Sequence, residues 1–167
     1  MDITTISKHF STRLLNETDI EAIYNLCKEN KLYYHHCPPM ITYDLIKEDM
    51  YGLPKGKELK DKYYYGYFDK DKLIAIVDLI DGYPTDTCAY IGLFMLDMNY
   101  QRKGLGTNLI NELTDYLIQH NFTEIQLGYV KTNPQAKYFW SQLGFVQCRE
   151  EVNFGEYFVI PVKKKIQ

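Results

Sequence analysis

The chain has 167 residues, which suits one domain with a core large enough to need no disulfide or metal staple. Its formal charge is −3, from 19 Lys and Arg against 22 Asp and Glu, which argues against a general nucleic-acid binder. Four scattered cysteines lack C-x-x-C spacing, no apolar run approaches ~18 residues, and no long apolar region follows Met1, so zinc and redox motifs, a membrane span and a signal peptide are set aside in favour of a cytoplasmic protein with reduced thiols.

Residues 9–15, ending in Arg13-Leu14-Leu15, read as a first strand. Thr18-x-x-Glu21 has capping-box spacing, so a helix follows with Ile20, Ile23, Tyr24 and Cys27 on its inner face, ending near Asn30. The segment Tyr33 to Pro39 reads as a loop, because two prolines stop a helix. His35, His36 and Cys37 are adjacent there, and with no partner cluster elsewhere they make no metal site. Thr42 can cap a short helix over 43–51 carrying Leu45, Ile46 and Met50, and 52–57 is a loop by composition. Strands are expected at 63–68 and 73–80, forming a hairpin around the polar turn 69–72. Asp78 interrupts the apolar second strand, so its carboxylate must be paired, hydrogen-bonded or facing a cavity. Asp81 and Tyr83 sit in the turn beyond it.

Residues 88–97 read as a central strand. The turn Tyr100-Gln101-Arg102-Lys103-Gly104-Leu105-Gly106-Thr107 follows and opens a helix over 105–119, roughly 22 Å long, in which Leu105, Leu109, Leu113 and Leu117 recur. Strand, glycine turn and helix start in that order favour an anion, since the first helical amides lack internal partners and the dipole is positive there. Arg102 and Lys103 add charge, and glycine at 104 and 106 removes Cβ atoms that would block a phosphate. A nucleoside-triphosphate loop is absent, and G-x-G-x-x-G is broken by Leu109. A strand over 124–130 comes next, then a helix with Asn133 as N-cap, Pro134 at its first position and Gly144 closing it. Strands at 145–149 and 156–162 are joined by Asn153-Phe154-Gly155, and Lys163-Lys164-Lys165 reads as a solvated end. Without repeats, low-complexity tracts or a linker, residues 1–167 read as a single domain.

The pattern Gln101-x-x-Gly104-x-Gly106 resembles the pyrophosphate-binding motif of the GNAT superfamily, the acyl-CoA-dependent N-acetyltransferases. Asn133-Pro-Gln-Ala136-Lys-Tyr-Phe139-Trp140-Ser-Gln-Leu143-Gly144-Phe145 is similar to that family's closing helix, and the two segments together span roughly residues 88 to 150. The resemblance implies an α/β (α+β) GNAT-like fold: a mixed, mostly antiparallel sheet of about six to seven strands, flanked by about four helices, with a splayed parallel pair, 88–97 and 124–130, at its centre. It implies acetyl transfer from acetyl-CoA to a primary amine of a small molecule or peptide, by direct attack in a ternary complex without a metal. The alternative is a non-catalytic acyl-CoA sensor on the same scaffold.

The resemblance also assigns roles. The Leu96 backbone amide would polarise the thioester carbonyl, and Met98, Gln101, Arg102, Lys103, Gly104, Leu105, Gly106 and Thr107 would hold the cofactor, with Gln101 and Arg102 framing the pyrophosphate. Asn133 either bonds the pantetheine or serves only as a helix cap, and both can hold together. Phe139 and Trp140 would face the cofactor. Trp140 stands where many members carry a tyrosine that protonates the leaving thiolate, and an indole N–H is no practical proton donor. His35 and His36 would lie at the mouth of the acceptor site, and Asp78, Asp81 and Tyr83 are candidates for its wall, with a structural carboxylate bonded to loop amides as the other reading of Asp78. The amine's proton could go to Asp78, Asp81, His35, His36 or a water chain. Monomer and homodimer both remain open.

Overall fold

A computed structural model describes all 167 residues. In chain order the elements are β1 (Ser11–Leu14), α1 (Ile20–Glu29), α2 (Lys31–His36), α3 (Tyr43–Tyr51), β2 (Lys62–Asp69), β3 (Lys72–Asp81), β4 (Cys88–Leu96), α4 (Leu105–Gln119), β5 (Glu124–Val130), α5 (Pro134–Gln142), β6 (Val146–Gln147), β7 (Val152–Asn153) and β8 (Phe158–Lys165). The eight strands form one sheet in the order β1-β2-β3-β4-β5-β8-β6, with β7 also on β8. Every pairing is antiparallel except β4 with β5. This is the mixed, mostly antiparallel sheet with a central parallel pair that the sequence led us to expect, with eight strands and five helices in place of six to seven and four.

Two apolar layers cover the sheet. On one face Leu109, Leu113 and Leu117 of α4 and Trp140 of α5 pack on Tyr65, Val77, Ile91 and Ile125. On the other, Ile23 and Cys27 of α1 and Ile46 and Met50 of α3 pack on Tyr64, Ile76 and Met95. Alternation of side chains sets which layer a strand residue joins, except where the register shifts in β2–β3 and β3–β4. No helix is long and apolar enough to cross a membrane, and all four cysteines are free thiols.

Several local expectations are corrected. The capping box at the first helix is Asn16 with Asp19, not Thr18 with Glu21. A turn of 3₁₀ helix, Glu17–Asp19, precedes α1, and Asp19 is held there by a bidentate bond from Arg13 at 2.9 and 2.7 Å. Residues 31–36, partly within the expected loop, form α2. The prolines at 38 and 39 end that helix at Cys37 and do not prevent it. The expected strand at 145–149 shortens to β6, and β7 appears at Val152–Asn153; both add to the same edge of β8. The lysine tail is no solvated end: Lys163 to Lys165 pair with Gln126 to Glu124, and the Lys163 ammonium lies 2.9 Å from the Glu124 carboxylate.

Candidate functional site

The parallel register of β4 and β5 stops at Ile91 and Leu127. Beyond it β4 continues on β3 as far as Leu96, while β5 continues on β8 to Val130, so the two strands part. Gly92 sets the divergence. It is the extra residue where the β3–β4 register shifts between Asp78 and Leu79, and such a bulge bends its strand. Past the bulge the Asp97 amide donates to Ile74 O at 2.8 Å. Antiparallel pairing alternates, so the peptide groups of Phe94 and Leu96 point away from β3 into the gap. The Leu96 carbonyl is taken there, accepting from Gln101 Nε2 at 2.9 Å and Asn30 Nδ2 at 3.2 Å.

At the end of β4, Asp97 caps a 3₁₀ turn, Met98–Tyr100, by accepting from the Asn99 amide at 2.8 Å. Arg102 (φ 59°) and Gly104 (φ 78°) then adopt left-handed backbone. The first helical bond of α4 runs from the Asn108 amide to Gly104 O at 3.1 Å, and the amides of residues 102 to 107 donate to no acceptor in the chain. Successive unpartnered amides in a turn with left-handed residues form an anion-binding concavity, reinforced by the helix dipole. A diphosphate suits these amides, and an amide-bearing arm suits the open edge of β4.

The two glycines act differently from each other. Gly104 is needed for its positive φ, and a Cβ there would meet nothing within 4 Å. Gly106 is buried, and a Cβ there would lie 3.3 Å from the Phe139 ring. Its smallness serves the packing of α4 on α5. The Gln101 side chain donates to Asn30 Oδ1 at 2.8 Å as well as to Leu96 O, so it braces the end of β4 beside the turn. Lys103 donates to Asn99 O at 2.8 Å, and Met98 is exposed beside the turn. Leu105 anchors the helix start against the core, and Thr107 is exposed one turn in.

Helix α5 closes the other side of the gap. Asn133 Oδ1 accepts from the Ala136 amide at 3.1 Å, which is the helix-cap role, while its Nδ2 has no partner in the chain. Phe139 stacks on Phe94 at 5.9 Å between centroids and 11° between planes. Trp140 is only 7% exposed and sits edge-on among Phe94, Phe139 and Phe145, so it belongs to the core. Tyr138 is 68% exposed on the outer side of the helix.

The opposite face of the sheet carries the charged groups. Lys62 Nζ lies 2.8 Å from both Asp78 oxygens, donates to Oδ2 and also donates to Gly52 O at 2.9 Å. The side chains are 3% and 15% exposed, so Asp78 is one half of a buried ion pair, with lysine as its partner and not loop amides. Burial raises the Asp78 carboxyl above its ordinary value, and the Lys62 ammonium holds back part of that rise. A Cβ on Gly92 would lie 2.6 Å from Asp78 Oδ2, so the bulge glycine also makes room for the pair. Asp49 of α3 feels the pair electrostatically: the residue is exposed, yet lost hydration pushes its carboxyl up to about 6, with the Asp78 charge adding to this and Lys62 opposing it. Asp49 also acts electrostatically on Tyr33, Tyr34 and Tyr64, whose hydroxyls burial holds well above the usual phenol value. Those phenols are neutral donors at working pH.

Because the folded Asp49 binds protons more readily than the unfolded one, stability falls as pH rises between about 4 and 6. Asp49→Asn should therefore raise Tm at pH 8, with the gain fading as pH falls through 6 towards 4 in thermal scans.

The other expected acceptor residues do not converge. Asp81 lies three positions beyond Asp78 in β3, hence on the opposite face, where its charge acts on Tyr63. Tyr83 sets its ring edge-on to Tyr90 at 5.5 Å, near the end of the cleft remote from Leu96. His36 Nδ1 is 2.9 Å from Thr132 Oγ1. With His35, Lys131, Glu156 and Tyr157 it lines a depression of about 370 Å³ between α2 and the β7–β8 turn. No group of three or more His, Cys, Asp or Glu is arranged to hold a metal ion. Asp49, Lys62 and Gly92 were missed. A glycine inside an apolar strand was the one available signal, since it often marks a bulge.

A family model described as Acetyltransferase (GNAT) family matches residues 20–145. Among solved structures the chain is similar to an acetyltransferase from Thermus thermophilus, with TM-score 0.74, 16% identity, 93% of this chain and 96% of that one covered. It is also similar to spermidine N-acetyltransferase from Vibrio cholerae in complex with CoA and spermine, with TM-score 0.69, 23% identity and 95% and 96% coverage. A third likeness is the ribosomal-protein-S18-alanine N-acetyltransferase from Escherichia coli, with TM-score 0.66, 17% identity and 94% of each chain. A search of curated protein sequences found no match.

Proposed function

This chain belongs to the GNAT family of acetyltransferases, and from that premise we propose that it transfers an acetyl group from acetyl-CoA to a primary amine, by direct attack in a ternary complex, with residues 1–167 acting as one catalytic domain. The observation that carries the reading is the continuity of two binding surfaces: six unpartnered amides at 102–107 and, one turn away, the open edge of β4 at Phe94 and Leu96.

Bound acetyl-CoA supplies an acetyl group activated as a thioester. The amides of 102–107 hold its diphosphate, with Arg102 adding charge at the rim. Phe94 and Leu96 present backbone groups to the pantetheine arm, Asn133 offers its unpartnered Nδ2, and the stacked Phe94 and Phe139 wall the arm from water. The Leu96 N–H is fixed by its strand, so it meets charge developing on the carbonyl oxygen without reorganising. Its orientation is secured because Gln101 and Asn30 tie down the carbonyl of the same residue.

Trp140 lies in the core and Tyr138, the one phenol on α5, is exposed on its outer side, so α5 offers no phenol to protonate the departing sulfur. A thiol of pKa near ~8.5 leaves acceptably as the thiolate, so positioning carries much of the rate. The same observation favours a second reading, a non-catalytic acyl-CoA-binding module. Incubation with acetyl-CoA and a panel of amines separates them. The transfer reading expects free thiol and acetylated amine in equal amounts; a chain that binds coenzyme A and releases no thiol above the uncatalysed rate would support the module.

A further inference from the structure

Four buried side-chain polar atoms have no hydrogen-bond partner in the chain, and two of them belong to neighbouring residues of α4: Glu112 Oε2 and the Tyr116 hydroxyl. Tyr116 as a whole is only 4% exposed. The two residues are four apart, so they lie one above the other on the same face of the helix. Both line a cavity of about 480 Å³ between α4 and residues 5–9 of the N-terminal segment. Buried polar groups are normally paired, so two orphans on one cavity point to a ligand that pairs them.

The fold holds the walls of this cavity in place. Ile3 and Ile6 are buried in the core, and Thr12 Oγ1 donates to Ile3 O at 2.7 Å, which fastens the N-terminal segment to β1. The Lys8 amide reaches Glu112 Oε1 at 3.4 Å and leaves Oε2 to the cavity. His120 lies against the Tyr116 ring at 4.1 Å between centroids, with its Nδ1 2.8 Å from Tyr116 O. Thr5, in the same wall, gives its hydroxyl proton to Asp2 O at 2.9 Å, so it has none for Tyr116.

Charge decides the kind of ligand. The wall carries Glu112 and Asp115 against Lys8, a formal net charge of −1 with His9 counted as neutral. None of the eight ion pairs in the chain includes any of the three. Water can bond both orphan atoms but leaves the carboxylate charge uncompensated, whereas a cation with N–H groups meets both demands. Lys8 stands against a second positive centre. Ile6 and Ile118 offer apolar surface to a short hydrocarbon body.

We propose that this cavity binds a small organic monocation with at least two N–H donors, a guanidinium or a primary ammonium, with one N–H donating to Glu112 Oε2 and another meeting the Tyr116 oxygen. The site begins about 10 Å along α4 from its first turn, so it is separate from the amides of 102–107 and from the Leu96 edge. It stands whether or not the chain transfers acetyl groups.

The test titrates methylguanidinium, propylammonium and tetramethylammonium chlorides into the full chain labelled with nitrogen-15, at constant ionic strength and neutral pH, and follows the amide chemical shifts. We expect saturable shifts at residues 5–9 and 112–119, half-complete below about 10 mM, with the tighter of the first two cations identifying the headgroup. Tetramethylammonium has the charge without an N–H and should bind about tenfold more weakly. Glu112→Gln should weaken binding about tenfold and Tyr116→Phe about threefold, whereas Lys8→Gln should tighten it. Without ligand, neither Glu112→Gln nor Tyr116→Phe should lower Tm by more than about 2 °C, because the altered atoms have no partner to lose. A larger loss would show that these atoms are already paired in the folded chain, and would overturn the assignment. So would the absence of saturable shifts at these residues with both N–H cations, equal binding of tetramethylammonium, an affinity unchanged in Glu112→Gln, or weaker binding in Lys8→Gln.

Discussion

Gly104→Glu weakens coenzyme A binding by about a hundredfold or more, with only a modest loss of stability. The residue opens α4 at φ 78°, and a Cβ added there would meet nothing within 4 Å, so a side chain has room to enter the space in front of the amides. A carboxylate about 5 Å from a phosphate oxygen, at an effective dielectric near 20, is repelled by about 3 kcal/mol, which corresponds to more than a hundredfold in affinity. The left-handed backbone separately costs about 1–2 kcal/mol for a residue with a Cβ, lowering Tm by about 2–8 °C in a chain of this size. Gly104→Ala carries the backbone strain without the charge. Titration calorimetry with coenzyme A should therefore find Gly104→Ala close to the parent and Gly104→Glu far below it, with similar Tm losses. Equal affinities for all three proteins would mean that the diphosphate does not lie on this turn.

Lys62→Met lowers Tm by about 10 °C at pH 8. The substitution keeps most of the side-chain volume and removes the only cation beside Asp78, whose side chain is 15% exposed. Breaking a buried pair from one side leaves a charge without compensation, at a cost of about 3–5 kcal/mol. The Gly52 carbonyl also loses its donor, so the loop after α3 loosens. Without Lys62 the Asp78 carboxyl binds protons still more readily in the folded state, so the deficit shrinks as pH falls and grows as pH rises. The double variant Lys62→Met with Asp78→Leu removes both charges and should recover most of the loss. A Tm change within about 2 °C for the single variant would be the behaviour of a surface pair and would contradict the buried assignment.

Much of the scaffold was legible because capping side chains and apolar spacing agreed. Helices α3 and α4 run over the residues expected, the first because Thr42 accepts from the Leu45 amide, the second because its leucines recur on one face. The face of Asp81 was not legible, because the expected strand stopped at residue 80 and only its extension to Asp81 lets alternation set this residue opposite Asp78. Lys62 was not legible. A lysine at the start of a strand reads as a surface residue, and only the β2–β3 register brings it near Asp78. Asp49 looked like one more polar residue of an amphipathic helix. Its charge acts on Tyr33 and Tyr34 of α2, a six-residue helix too short to leave a periodic pattern. At Gly106 the motif pointed to a phosphate, and what the sequence did not reveal is the close packing of α4 on α5 at the same residue.

Crystals of the chain grown with coenzyme A bear most directly on the account. It predicts diphosphate oxygens at about 3 Å from amides within 102–107, and the pantetheine arm running between β4 and β5 with its sulfur end at the Leu96 N–H. A cofactor held elsewhere by side chains, or a gap between β4 and β5 closed by protein, would contradict it.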